Sequence, residues 1–212
     1  MFLLGHVGIT VGPVLSLDLA LRKKYGNAVK QDSLADRRPG SARKSAVANR
    51  LSDAMTRFSA SLRRMDYRLL IVGSLLPDII DKPVGMVFFR NFFSNGRLFS
   101  HSLLFLAVIT LLGLFLYRRW GQRWLLILSF GTAMHLLLDE MWNTPQTIFW
   151  PFLGWGFEKK DLSNWMEKMW HSFVSSPSVI ATEAIGAVIL IAFLAVLIRR
   201  RRLYDFIRYG RL

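Results

Sequence analysis

Three histidines and three aspartates stand in or beside stretches too apolar to solvate them: His6, Asp78, Asp81, His101, His135 and Asp139. An ionisable side chain in a membrane segment costs about 3 kcal/mol or more unless it is paired or hydrated, so each is a candidate for function. His135 and Asp139 are four residues apart, and Asp78 and Asp81 three apart. Within a helix each pair therefore projects from one face. The chain has no cysteine, which leaves imidazole and carboxylate to hold a borderline cation such as zinc. A bound divalent ion lowers the pKa of its water to about 7 and polarises a phosphoryl or carbonyl oxygen. Three histidines and three aspartates exceed the ligands of one tetrahedral ion. The surplus would serve a second ion, act as general base or orient ligands. The sequence thus predicts one or two divalent ions, zinc by preference, on His6, Asp78, Asp81, His101, His135 and Asp139, with Asp78, Asp81 and Asp139 as the catalytic candidates. Ser102, beside His101, reads as a helix-start serine.

These residues must be positioned by long apolar elements. The chain of 212 residues is 52% hydrophobic with a mean hydropathy of +0.31, and its apolar residues fall in long runs. A spanning helix takes about 20 such residues. Five segments qualify or nearly do: 2–21, 67–89, 98–117, 123–142 and 177–198. The second is broken by Pro77, Asp78, Asp81 and Pro83 and reads as either crossing or re-entering. The expected fold is an all-α membrane bundle forming one domain. Residues 22–45 read as a flexible basic loop. From 46 to 65 the spacing of Val47, Leu51, Met55, Phe58, Leu62 and Met65 predicts a basic amphipathic helix. It would lie in the headgroup layer or pack on the protein. The connection 143–176 carries Trp150, Trp155, Trp165 and Trp170, read as an interfacial aromatic belt. A basic tail, 199–212, closes the chain.

The net charge is +14, from 28 basic and 14 acidic residues. In a soluble protein this would suggest nucleic acid. Here the basic residues crowd beside apolar segments, which points to anionic lipid headgroups and topology instead. With five crossings, 21 of the 28 fall on one side, in loop 22–64, turn 118–123 and the tail. That side should be cytoplasmic, with the N-terminus outside. The histidines and aspartates then gather toward the outer ends of four segments. Only Asp18 lies clearly at the other end, and Glu183 is the one charged residue of the fifth segment.

The order Gly5-His6-Val7-Gly8-Ile9-Thr10, Gly73-Ser74-Leu75-Leu76-Pro77-Asp78-Ile79-Ile80-Asp81, Ser100-His101-Ser102-Leu103 and His135-Leu136-Leu137-Leu138-Asp139 resembles the YdjM-type family of membrane-bound metal-dependent hydrolases. That family is also described as inner-membrane-associated and LexA-binding. The stretch from Asn143 through Phe152 resembles the segment after its last His/Asp motif. The resemblance covers residues 2–155 and implies a metal-dependent hydrolase in the membrane. A looser similarity is to zinc-dependent phospholipase C, whose further His-rich motif has no match here. His171 is the one histidine left over.

Three readings follow. The first is a hydrolase of a phosphoester or lipid-linked substrate at the outer face of the cytoplasmic membrane, with membrane lipids and a small-molecule substrate as partners. The second is a transporter whose histidines and aspartates form an ion path. Against it, they cluster at one face, and no internal repeat of the transporter kind is evident. The third is a scaffold, with the basic loop recruiting a cytoplasmic protein partner. Nucleic acid is not expected to be one.

Overall fold

A computed structural model describes residues 3–35, 54–55, 58–59, 62, 65–161 and 163–212, with side chains described only through residue 21 in the first helix. The described residues form helices and loops with no strand. The long helices are α1 (Leu3–Ala35), α2 (Tyr67–Lys82), α3 (Leu103–Trp120), α4 (Trp124–Leu138), α5 (Trp165–Ser175), α6 (Pro177–Arg199) and α7 (Leu203–Tyr209). The architecture is all-α, as the runs of apolar residues require. Among the described residues three helices carry stretches long and apolar enough to cross a membrane: Leu3–Leu21 of α1, Leu103–Trp120 and Pro177–Arg199. Trp124–Leu138 is apolar but shorter, and α2 is not among them.

Helix α2 is central. It packs on α1 and α4, while α6 lies along α1 and α3 along α4. The main apolar core joins Val7, Val11, Val14 and Leu15 of α1 to Tyr67 and Leu70 of α2, Phe193 and Leu197 of α6, and Leu212. Leu111 and Phe115 of α3 and Val188 and Ile191 of α6 are exposed, the faces that hydrocarbon would cover. Between α1 and α6 the backbones nearly touch. A Cβ on Gly8 would lie 2.3 Å from the Gly186 carbonyl oxygen, the small-residue approach that lets membrane helices pack without a hydrophobic drive.

Several boundaries differ from the sequence expectation, each for a local reason. Residues 22–35 were expected in a flexible loop, but α1 runs on through Ala35. Lysine, glutamine, alanine and leucine there are good helix formers, and no proline intervenes before Pro39. Residues 36–45 lie outside the described residues. The segment 67–89 is helical to Lys82 and then passes into a wider π-helical turn, Pro83–Phe88. Pro83 has no N–H to continue the α ladder. The segment 98–117 begins its helix only at Leu103, capped by the Ser102 hydroxyl, which accepts from the Phe105 N–H at 3.1 Å. In the segment 123–142 the α-helix ends at Leu138, and after Glu140 in the left-handed region a short 3-10 turn, Met141–Asn143, follows. Of the amphipathic helix, Val47 and Leu51 lie outside the described residues. Leu62 and Met65 pack against the core, whereas Phe58 is exposed.

The basic tail is folded rather than trailing. Helix α7 returns the chain to the start of α2, where the Tyr67 N–H donates to Gly210 O at 2.8 Å. Arg68 Nη1 donates to Ile207 O at 2.7 Å. Asp66 caps α2 by accepting from the Arg68 N–H.

Candidate metal centre

The local chemistry begins with Pro77. A proline in a helix cannot donate to the carbonyl four residues earlier, so the Gly73 carbonyl of α2 is left open. Thr132 Oγ1 of α4 donates to it at 3.3 Å. One residue on, Ser74 O accepts from His135 Nδ1 at 2.7 Å. The helices come close enough because both carry glycine at the crossing: a Cβ on Gly131 would lie 2.6 Å from the Gly73 carbonyl carbon. The Pro77 carbonyl in turn accepts from Ser100 Oγ at 3.0 Å, bringing in the segment that carries His101.

Asp81 fixes that segment. Its carboxylate is fully buried and accepts from the backbone N–H groups of Leu98, Ser100 and His101 at 2.6, 3.2 and 3.3 Å. It also accepts from His101 Nδ1 at 2.7 Å. Both buried imidazoles therefore carry their proton on Nδ1, because Ser74 O and the Asp81 carboxylate can only accept. In its neutral form each ring presents a lone pair at Nε2, and these two atoms face each other at 3.3 Å. Neither can donate to the other. The arrangement calls for something electropositive between them, a proton or a cation.

The remaining candidates converge on the same place. Asp78 Oδ1 lies 3.6 Å from His101 Nε2 and 3.9 Å from His135 Nε2. Asp139 Oδ2 lies 4.0 Å from His135 Nε2, and Asp139 Oδ1 lies 3.1 Å from His6 Nε2. The His6 and His135 rings stack with centroids 4.3 Å apart. Two triads result, His6–His135–Asp139 and Asp78–His101–His135, each with its ligand atoms within 4.8 Å of one another. The donor set could hold a metal ion. Two nitrogens each about 2.0–2.1 Å from a tetrahedral ion stand about 3.3 Å apart, as the two Nε2 atoms do. An acceptor on the far nitrogen of each imidazole is the outer-shell pattern typical of metal-ligating histidines.

Of the six residues expected to hold metal, five bring a ligand atom to this cluster. Asp81 stands behind His101 with both oxygens occupied. Asp18 is buried elsewhere on α1, and His171 lies on α5, where Ser175 Oγ is 3.5 Å from its Nε2. Glu183 has a different place: its carboxylate accepts from the Leu4 and Gly5 N–H groups at 3.0 and 3.1 Å. These are first-turn donors of α1 with no partner inside the helix. Glu183 thus seats the turn that carries His6. Replacing it with alanine should lower unfolding stability by about 1–3 kcal/mol, the cost of stranding buried donors. Thermal unfolding in detergent checks this, and glutamine, which keeps an acceptor oxygen, should recover part of the loss.

The sequence reading passed over three cations that surround the cluster. Arg97 Nη2 pairs with Asp139 Oδ2 at 2.8 Å, and Lys82 Nζ pairs with Asp78 Oδ2 at 2.6 Å. Lys160 joins them in a cavity of about 250 Å3 whose wall includes Asp78 and Asp139. It arrives because its N–H donates to Ser94 O at 2.9 Å and Asn95 Nδ2 donates to Glu158 O at 2.8 Å. The Lys160 ammonium is held below the ordinary lysine pKa, by partial desolvation first and then by the Arg97 guanidinium. An anion in the cavity would relieve that repulsion. The one sequence signal was an arginine four residues ahead of His101, in a Ser-Asn-Gly turn. Trp165 lines the same cavity, while Trp150 packs edge-on against Phe99 with centroids 5.1 Å apart.

Comparison with known proteins agrees with the assignment of these residues to a membrane protein. The family model for the YdjM inner membrane protein matches residues 45–206, a stretch holding every member of the cluster except His6. No curated protein and no solved structure matches. On that match, extending over most of its length, the chain belongs to the YdjM inner membrane protein family.

Proposed function

We propose that the protein is a metal-dependent hydrolase of a phosphoester, working at the outer face of the inner membrane with its N-terminus outside and its C-terminus cytoplasmic. The observation that carries this is the pair of buried imidazoles whose Nε2 atoms face each other at 3.3 Å, joined through Asp78 and Asp139 to a cavity lined by Arg97, Lys82 and Lys160. His6, His101, His135, Asp78 and Asp139 would hold one or two zinc ions. Such an ion supplies hydroxide near neutral pH and a Lewis acid for a phosphoryl oxygen.

The protein's own groups do the rest. Asp81 holds His101 in the Nδ1–H tautomer, and Ser74 O does the same for His135. Arg97 and Lys160 bind the non-bridging phosphoryl oxygens and offset the charge that grows on them. Asp78 is the most accessible carboxylate of the set, with a side chain 19% exposed against 6% for Asp139 and 0% for Asp81. In this reading it either completes the ligand set through Oδ1 or, left off the ion, takes the proton of the attacking water. A scaffold would need none of this, and a transporter would need a polar path through the whole thickness, toward the other end of which only Asp18 lies among the described residues.

The test is hydrolysis of p-nitrophenyl phosphate and bis-(p-nitrophenyl) phosphate by the purified protein in detergent. Rates should require added zinc, disappear with a chelator and fall by about 100-fold or more in His101→Ala, since removal of a ligand removes metal catalysis. Equal rates in wild type and variant, with or without chelator, would refute the reading.

A further inference from the structure

The basic cavity does not stand alone. Beside it runs a larger groove of about 490 Å3, lined by Pro83, Met86 and Val87 of the π-helical turn and Met166 of α5, together with Arg90 and Asn164. Lys82, Met86 and Trp165 belong to both, so the two share a wall. One has two carboxylates and three cations on its wall. The other is apolar, and Val87 and Met166 on it are 70% and 66% exposed. Phe88, Phe89 and Phe92, which follow Val87 in the chain, are also exposed, aromatic residues of the kind that settle at a headgroup boundary.

We propose that cavity and groove together hold one amphiphile, a lipid of the surrounding membrane bearing a phosphate, with the phosphate among Arg97, Lys160 and Lys82 and the hydrocarbon chain along Pro83, Met86, Val87 and Met166. Charge complementarity selects the phosphate, and continuity with the cavity selects a chain covalently joined to it. A separate apolar partner would not need a groove that opens into the cation ring. Lys82 sits at the junction, its ammonium already turned toward Asp78 in the cavity while its stem lines the groove. The inference rests on the hydrolase reading only for the fate of the phosphate, since binding requires neither metal nor turnover.

The experiment is binding of octylphosphonate and ethylphosphonate to the detergent-solubilised protein in the presence of chelator. The carbon–phosphorus bond cannot be hydrolysed as an ester, so affinity is read without catalysis. Octylphosphonate should bind at least about tenfold tighter, the equivalent of about 1.4 kcal/mol or roughly two buried methylenes. Arg97→Gln and Lys160→Gln should weaken both ligands, each by about fivefold or more, as expected for loss of a charge-assisted hydrogen bond. Val87→Asp and Met166→Asp, both at exposed positions, should collapse the octyl-to-ethyl ratio to within about twofold by removing the apolar contact. A ratio near one in the wild type, a ratio that survives both aspartate variants, or octylphosphonate affinity indifferent to Arg97 and Lys160 would overturn the proposal. Chain-length-dependent binding without phosphoester hydrolysis would leave this site standing and remove the hydrolase reading. Hydrolysis without chain-length dependence would do the reverse.

Discussion

Purified wild-type protein should carry at least one equivalent of zinc, since its two donor triads share the one lone pair of His135 Nε2, and His135→Ala should carry none. His135 belongs to both triads, so its loss leaves neither with three donors. Asp139→Ala should remove one triad and spare Asp78–His101–His135, lowering the metal content without abolishing it. Asp81→Asn is the more discriminating variant. Asp81 belongs to neither triad, and its carboxylate faces the backbone N–H groups of Leu98, Ser100 and His101 and the His101 Nδ1. If it acts by orienting His101, zinc affinity should fall by about 10–100-fold, as for other outer-shell partners of metal-bound histidines, while stoichiometry at saturating zinc stays at the wild-type value. Metal analysis after dialysis, followed by competition with a calibrated chelator, separates the two behaviours. A well-folded wild type that takes up no metal from zinc-supplemented buffer would end the metal-centre reading.

The second large effect should come from a residue with no functional group. Gly131→Ala improves helix propensity by up to about 1 kcal/mol, which in isolation would stabilise α4. The added Cβ, however, would lie 2.6 Å from the Gly73 carbonyl carbon and 2.7 Å from Ser74 N. Those are backbone atoms of α2 and cannot rotate away. The helices must part, and overpacking of this kind costs about 1–3 kcal/mol or more, so the clash outweighs the propensity gain. Gly73→Ala meets Leu128 O at 2.6 Å and should behave alike. Both should lower the unfolding temperature in detergent by several degrees, for about 1–2 kcal/mol of net loss. Both should also weaken zinc binding by about tenfold, because the crossing they open holds Ser74 O against His135 Nδ1, and loss of such a partner costs about that much. Gly156, with no atom within 4 Å of its added Cβ, supplies the control: Gly156→Ala should leave both measurements unchanged.

Much of the site was legible because of its solvent. In an apolar helix a histidine or aspartate has no water to retreat to, so the rarity of His6, Asp78, His101, His135 and Asp139 in such runs marked them without any structure. Their convergence depends on which helix faces which, yet the shared depth already followed from their places along their segments. The same logic marked Glu183 and Asp18, and there it stopped. A buried carboxylate can solvate a helix N-terminus as well as a metal, and residue type does not distinguish the two.

The all-α architecture and membrane class follow from the sequence by itself, since apolar runs of this length in a Cys-free, basic chain have few other ways to satisfy their backbone. So does the set of residues with metal-ligating side chains. The tertiary structure decided how they divide. Asp81 and Asp78 differ by three residues and look equivalent in sequence, but the returning segment 95–101 lays three backbone N–H groups on Asp81 and leaves Asp78 beside the cavity. Arg97 and Lys160 reach the site by the same return, through hydrogen bonds between turns 63 residues apart in the chain. Nothing periodic announces such a contact. Helical periodicity records only which face of an element is buried, whereas the path of an irregular segment is set by backbone donors and acceptors finding partners across the fold, and there the ring of cations was placed.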